Sequence, residues 1–156
     1  MATKETWKVV TPIQSQDRLV WPVADPTLLQ PSNANPLVMG ELMQRDSAGK
    51  LVRSTDDTAF SWLLIDSAGR SDVQAISSVT VIGIGSMLMD TLVFDNAAAP
   101  ALGAKLMQAT VTNAAASLTN KSGFKTHAGT GEQVMGHVIE IAANNGGYLR
   151  VLMSRA

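Results

Sequence analysis

The chain contains no cysteine. That excludes a disulfide framework, a thiolate nucleophile and any zinc or iron–sulfur site built on sulfur. Charge is scarce too. Only 16% of the residues are Asp, Glu, Lys or Arg, against about 25% in an ordinary domain. Twelve basic and thirteen acidic side chains leave a net charge of −1, which provides no basic field to displace counterions from phosphates, so a nucleic-acid binder is not expected. Aromatic residues make up 4% of the chain, too few to line a sugar-stacking groove. No apolar run approaches the roughly 18 residues of a membrane-spanning helix. The opening Met-Ala-Thr-Lys-Glu-Thr-Trp has no apolar stretch behind Lys4, so no secretory signal is expected.

Neutral polarity stands where charge is missing. Of 156 residues, 13 are Ser, 13 Thr, 7 Asn and 7 Gln. A hydrophobic content of 46% is enough to build a core, and the length suits one domain. A surface of hydroxyls and amides repels other protein surfaces weakly. The composition therefore points toward packing against protein.

Five of the six prolines fall in the first 36 residues, at Pro12, Pro22, Pro26, Pro31 and Pro36. Each fixes φ and removes an amide donor, which disfavours helix and interrupts long strands. The same stretch carries Trp7, Ile13, Leu19, Trp21, Leu28 and Leu29, more apolar area than a flexible linker needs. Residues 1–36 therefore read as an extended arm and residues 37–156 as the folded domain. These six side chains are the candidate partner contacts. The arm is expected to cross to an adjacent subunit; the alternative is that it folds back and seals the base of its own barrel.

From Gly40 onward the pattern is β. Gly40–Asp46, the turn Ser47-Ala-Gly-Lys50 and Leu51–Ser54 read as a hairpin, with Gly49 at the position that requires positive φ. The Asp-Ser-Ala-Gly turn recurs at Asp66–Gly69, after a strand over Phe60–Ile65. Strands are also expected over Val79–Gly85, Met87–Phe94 and Ala104–Thr112. Val134–Ala142 and Tyr148–Met153 form a hairpin around Asn144-Asn-Gly-Gly147. Residues 113–131, short of large apolar side chains, read as a long surface loop, with a helical turn near Ala97–Ala104 or Asn113–Leu118. The expected fold is all-β, a small antiparallel β-barrel or sandwich with an extended Pro-rich N-terminal arm.

Chemistry is hard to place on this chain. His137 reads as a partly buried structural histidine facing the same side as Met135, Ile139 and Ile141, and His127 as a solvated loop residue. Two histidines with no His-x-x-His spacing do not preset a zinc site. No Gly-x-Ser-x-Gly elbow is present. Gly83-Ile-Gly85-Ser86 suits a bulge between strands, and Ala128-Gly-Thr-Gly131 lacks the lysine of a phosphate loop. Asp56 and Asp57, adjacent on an extended chain, diverge to opposite faces. No catalytic residue, cofactor site or metal site is expected, and no enzyme. Residues 96–131 carry Lys105, Lys121 and Lys125 and no acid, a local bias suited to docking on an acidic lattice.

From Gly40 to the C-terminus the chain resembles the small all-β structural proteins of tailed-phage virions that decorate or cement capsids. The features that carry the likeness are Gly40-Glu-Leu with the Asp46–Lys50 turn, Gly69-Arg-Ser-Asp-Val-Gln-Ala75 and Val79-Thr-Val-Ile. To these are added Asp90-Thr-Leu-Val-Phe-Asp95, Gly103-Ala-Lys-Leu106 and Val134-Met-Gly-His-Val138. The resemblance implies a non-enzymatic bacteriophage virion protein on the outer capsid surface. Its partners would be the major capsid protein and further copies of itself, as a homotrimer or other homo-oligomer. Alternatives are a tail-tube or head-fibre subunit, or a small-ligand or glycan-binding barrel using Trp62 as a platform.

Overall fold

The computed structural model describes residues 5–10, 18–55, 62–65, 78–83, 87–131 and 133–153. The described residues form two antiparallel sheets and contain no α-helix. The strands are β1 (Trp7–Val9), β2 (Arg18–Pro22), β3 (Leu42–Arg45), β4 (Leu51–Arg53), β5 (Trp62–Leu64) and β6 (Ser78–Gly83). They continue with β7 (Met87–Thr91), β8 (Lys105–Asn113), β9 (Leu118–Thr126), β10 (Gly136–Glu140) and β11 (Leu149–Met153). The larger sheet runs β1-β7-β11-β10-β8-β9 and the smaller β2-β6-β5-β3-β4.

Both sheets curl back on themselves. Past the end of β7, Phe94 makes a parallel bridge to Phe124 of β9 at the far side of the larger sheet. Phe124 donates its amide to Val93 O at 3.1 Å and accepts from Asp95 N at 2.9 Å, which rolls this sheet into a half-barrel. The approach depends on Gly123, where a Cβ would fall 2.3 Å from Val93 O. In the smaller sheet, Val23 just past β2 bridges Leu51 of β4 in the same way.

Strand alternation divides the core. In the smaller sheet Leu42, Leu63 and Ile82 face the larger sheet and share its core with Met89, Phe94 and Leu106. Their sequence neighbours Met43, Leu64 and Val81 turn to the opposite face, where Leu51, Leu29 and Leu37 meet them. Covered on both faces, these strands carry consecutive apolar residues instead of an apolar–polar alternation. A third cluster, with Val93, Val111 and Leu118, fills one end of the half-barrel.

The first hairpin forms as expected: β3 and β4 flank a turn in which Asp46 Oδ1 accepts from Ala48 N and Lys50 N, both at 2.9 Å. Gly49 has φ +78°. The second Asp-Ser-Ala-Gly turn, Asp56-Asp57 and Ile84–Ser86 lie outside the described residues. The terminal hairpin also forms, with Gly146 and Gly147 at positive φ.

Two expectations are corrected. The described parts of residues 1–36 do not stand apart as an arm. β1 pairs with β7, β2 pairs with β6, and Val23 and Leu29 are buried in the smaller sheet's core. Within the single chain they fold back onto their own domain. Residues 113–131 are not a long loop either. β9 pairs with β8 over most of its length, forming the longest hairpin among the described residues. Its buried positions are the consecutive Lys121, Ser122, Gly123 and Phe124, covered on both faces, and hydrophobicity does not mark the first three as buried. The helical turn expected there is present as a 3-10 turn over Ala114–Ala116.

Candidate functional site

The half-barrel's outward face is organised in two rows across its strands. Lys8, Asp90, Arg150 and Glu140 lie in successive register across β1, β7, β11 and β10. Arg150 donates to Asp90 through Nε (2.9 Å) and Nη2 (3.1 Å), and Asn145 Nδ2 adds a bond at 3.0 Å. Burial pushes the Asp90 carboxyl upward. The hydrogen bonds from Arg150 and Asn145 and the charges of Arg150 and Lys8 outweigh it and hold the carboxyl below its ordinary value. The same pairing raises Arg150. Lys8 Nζ also stands 4.2 Å from the centre of the Tyr148 ring. Tyr148 OH donates to Glu5 O at 2.7 Å. Burial first, then the negative charges of Glu5 and Asp90, push this phenol above its usual value.

The second row is apolar. Val10 donates its amide to Leu88 O, Leu88 lies opposite Leu152, and Leu152 opposite His137. Val10 and Leu152 are 39% and 40% exposed, with Ile139 at 43% beside them. Ile139 sits in the irregularity between Val138 and Glu140. Of the face expected for Met135, His137, Ile139 and Ile141, Met135 and Ile141 pack on the core while Ile139 turns outward. His137 is half-buried and lies opposite Lys105 as well as Leu152.

A buried ionic network tacks the two sheets together. Glu41 is fully buried, accepting from Val38 N (2.8 Å), Arg53 Nε (2.7 Å) and Ser122 N (2.9 Å). Arg53 Nη2 reaches Asn35 O (2.7 Å) and Pro36 O (2.8 Å), and Lys121 Nζ also donates to Pro36 O. Burial lowers the affinity of Lys121 for its proton; the Glu41 carboxylate opposes this and Arg53 reinforces it. Lys121 is therefore committed to the interior and unavailable for docking, which corrects its place in the basic bias. Lys105 is exposed and Lys125 half-buried. A second link runs from Gln108 Nε2 to Ser54 O at 2.7 Å.

The six candidate contact residues are dispersed. Trp7 is buried, with Nε1 donating to Met89 Sδ at 2.9 Å. Leu29 is buried in the smaller sheet and Leu28 packs half-buried against the same cluster. Trp21, half-buried, meets Trp62 edge to face at 4.5 Å, with the Arg45 guanidinium 4.4 Å over its ring. Leu19 and Val20 (66% exposed), consecutive on β2 and so on opposite faces, are both exposed. Ile13 lies outside the described residues. Of the described five, only Leu19 is exposed. Trp62 is engaged with Trp21, which argues against a free sugar-stacking platform.

Among the described residues no three His, Asp or Glu side chains gather closely enough to hold a metal ion. His127 Nδ1 accepts from Gly129 N at 2.9 Å within its own loop. Sequence reasoning missed Val10, Leu152 and Ile139 because exposure depends on which face a strand turns outward. An alternation count anchored on Trp7 and Met89 would have placed Lys8 and Val10 outward. Comparison with protein-family models, curated proteins and solved structures returns no match.

Proposed function

We propose that this chain is a non-enzymatic virion structural protein of a tailed phage. In this reading it docks on the outer capsid surface and cements the shell by bridging neighbouring copies of the major capsid protein, as a homotrimer or another homo-oligomer. The observation that carries the reading is the outward apolar row Val10–Leu88–Leu152, with Ile139 beside it, flanked by the ionic row Lys8–Asp90–Arg150–Glu140. An apolar centre rimmed by charge is the anatomy of a protein-docking surface. Area burial supplies the affinity, and the neighbouring ion pairs fix register. A second exposed strip on β2 would let one molecule touch two subunits, so that modest contacts add through effective concentration.

Co-sedimentation with cognate empty shells tests this. The wild-type chain should pellet with shells and raise the temperature at which they open. Val10→Ser combined with Leu152→Ser should weaken binding at least about tenfold, given that hot-spot truncations cost more than about 1 kcal/mol each, without changing the chain's own unfolding. A wild-type chain that ignores the shells, or a variant that binds equally well, overturns the proposal.

A further inference from the structure

Three connections gather around a cleft of about 860 Å3. They are the segment after β7, the tip between β8 and β9, and the connection between β10 and β11. Buried Leu92, Leu118 and Leu149 supply an apolar floor, while the walls rise through small side chains such as Ala101, Ala116 and Ala142. Alanine ends at Cβ, so these connections leave the cleft open. The volume lies within the roughly 300–1,000 Å3 typical of small-molecule sites.

Among the described residues no charged side chain lines the cleft, and the polar ones are Thr6, Asn96, Asn113 and Ser117. Thr6 Oγ1 is spent on Met39 O. Asn113 stands out. Its side chain is 2% exposed and its Nδ2 donates to Leu92 O at 2.9 Å, which fixes the orientation of the amide. Its Oδ1 is buried without a hydrogen-bond partner among the described residues. Buried acceptors are rarely left unsatisfied, because desolvation without replacement costs free energy. A carboxamide oxygen in the wall of an uncharged apolar cleft calls for a donor that arrives with apolar bulk.

We propose that this cleft binds a compact, uncharged, largely apolar small molecule carrying one N–H or O–H donor, which is received by Asn113 Oδ1. The uncharged lining excludes anionic and cationic ligands by desolvation, since no side chain there offsets a buried charge. Oδ1 exposes almost no surface in this structure, so engaging it requires the carboxamide to turn toward the cleft about its Nδ2–Leu92 O bond. The concave shape favours a small molecule over a flat protein surface. This site is independent of the outward apolar row and does not require capsid binding.

Indole and benzothiophene, matched in shape but differing in the N–H, serve as probes. They are titrated at millimolar concentration into the full chain labelled at alanine methyls and asparagine side-chain amides, and followed by NMR. Indole should shift the Ala116 and Ala142 methyls and the Asn113 amide saturably, and bind about fivefold more tightly than benzothiophene, the worth of one neutral hydrogen bond. Asn113→Leu should abolish that preference. Ala142→Leu, and separately Ala116→Phe, should exclude both probes while the remaining spectrum stays that of the folded chain. Equal affinities for the two probes, or cleft methyls unmoved by indole, overturn the proposal. So do cleft methyls that respond to shells but not to indole, which would make the cleft a protein-docking site.

Discussion

Trp7 lies directly on Gly40: a Cβ built at residue 40 would fall 2.8 Å from the Trp7 Cβ. Gly40 has φ +96°, and its amide donates to Leu64 O at 2.7 Å. This one contact couples β1 of the larger sheet to the segment that leads into β3 of the smaller one. Gly40→Ala should therefore be costly on two grounds, positive φ and overlap with the indole's root. The expected loss is about 2–5 kcal/mol, combining a backbone penalty of about 1–2 with a packing penalty of about 1–3. Equilibrium denaturation measures it, and Gly129→Ala is the control, since at that positive-φ position a Cβ meets nothing within 4 Å.

Removal of residues 1–36 should unfold the chain instead of cleanly releasing a tether. It deletes β1 and β2 and withdraws Trp7, Val23 and Leu29 from the core. Loss of the cooperative transition and of dispersed amide resonances is the expected result. A truncated chain that still unfolds cooperatively would place the stability of both sheets in residues 37–156 alone.

Glu41→Gln should leave Lys121 and Arg53 buried beside a neutral amide. Breaking a buried pair from one side typically costs about 3–5 kcal/mol. Adding Lys121→Met should recover part of the loss, because it removes one of the two cations that Glu41→Gln leaves without an anion. A double variant no more stable than Glu41→Gln would show that Lys121 acts through its bond to Pro36 O and not through charge. Urea midpoints of the three chains distinguish these outcomes.

Asp90 gives acid sensitivity of defined sign. Its folded-state pKa is held below the ordinary value of 3.8, so between the two values the unfolded chain binds more protons than the folded one. Its contribution is present above the unfolded value and disappears as pH falls through the folded one. Stability of the wild type should therefore decline more steeply below about pH 4 than that of Asp90→Asn. Denaturation midpoints from neutral pH down into that window give the comparison. Parallel curves would mean that the Arg150 pair adds nothing to pH dependence.

Much of the secondary structure was legible because its signals are local. Gly49 behind Asp46, the Asn-Asn-Gly-Gly turn and the β-branched runs act through φ preferences and short-range hydrogen bonds, which neighbouring residues specify. The β8–β9 hairpin was not legible, since Lys121, Ser122 and Gly123 are buried on it. Each is buried for a reason supplied from elsewhere in the chain: Glu41 and Pro36 for the lysine, Glu41 and Ser54 for the serine, the Val93 carbonyl for the glycine. The outward apolar row was hidden in the same way, because Val10 and Leu152 are as apolar as Val23 and Leu149.

By itself the sequence determined an all-β chain, without cysteine chemistry and with little charge. Those properties follow from composition and from local backbone preference, and no later folding event alters them. Tertiary structure alone decided that Trp7, Val23 and Leu29 of the N-terminal segment are spent on the chain's own core. It also decided which apolar residues are left facing outward and that three alanine-rich connections meet around Asn113. Burial is a property of pairs of segments distant in sequence, and the closure of each sheet on itself brings those pairs together.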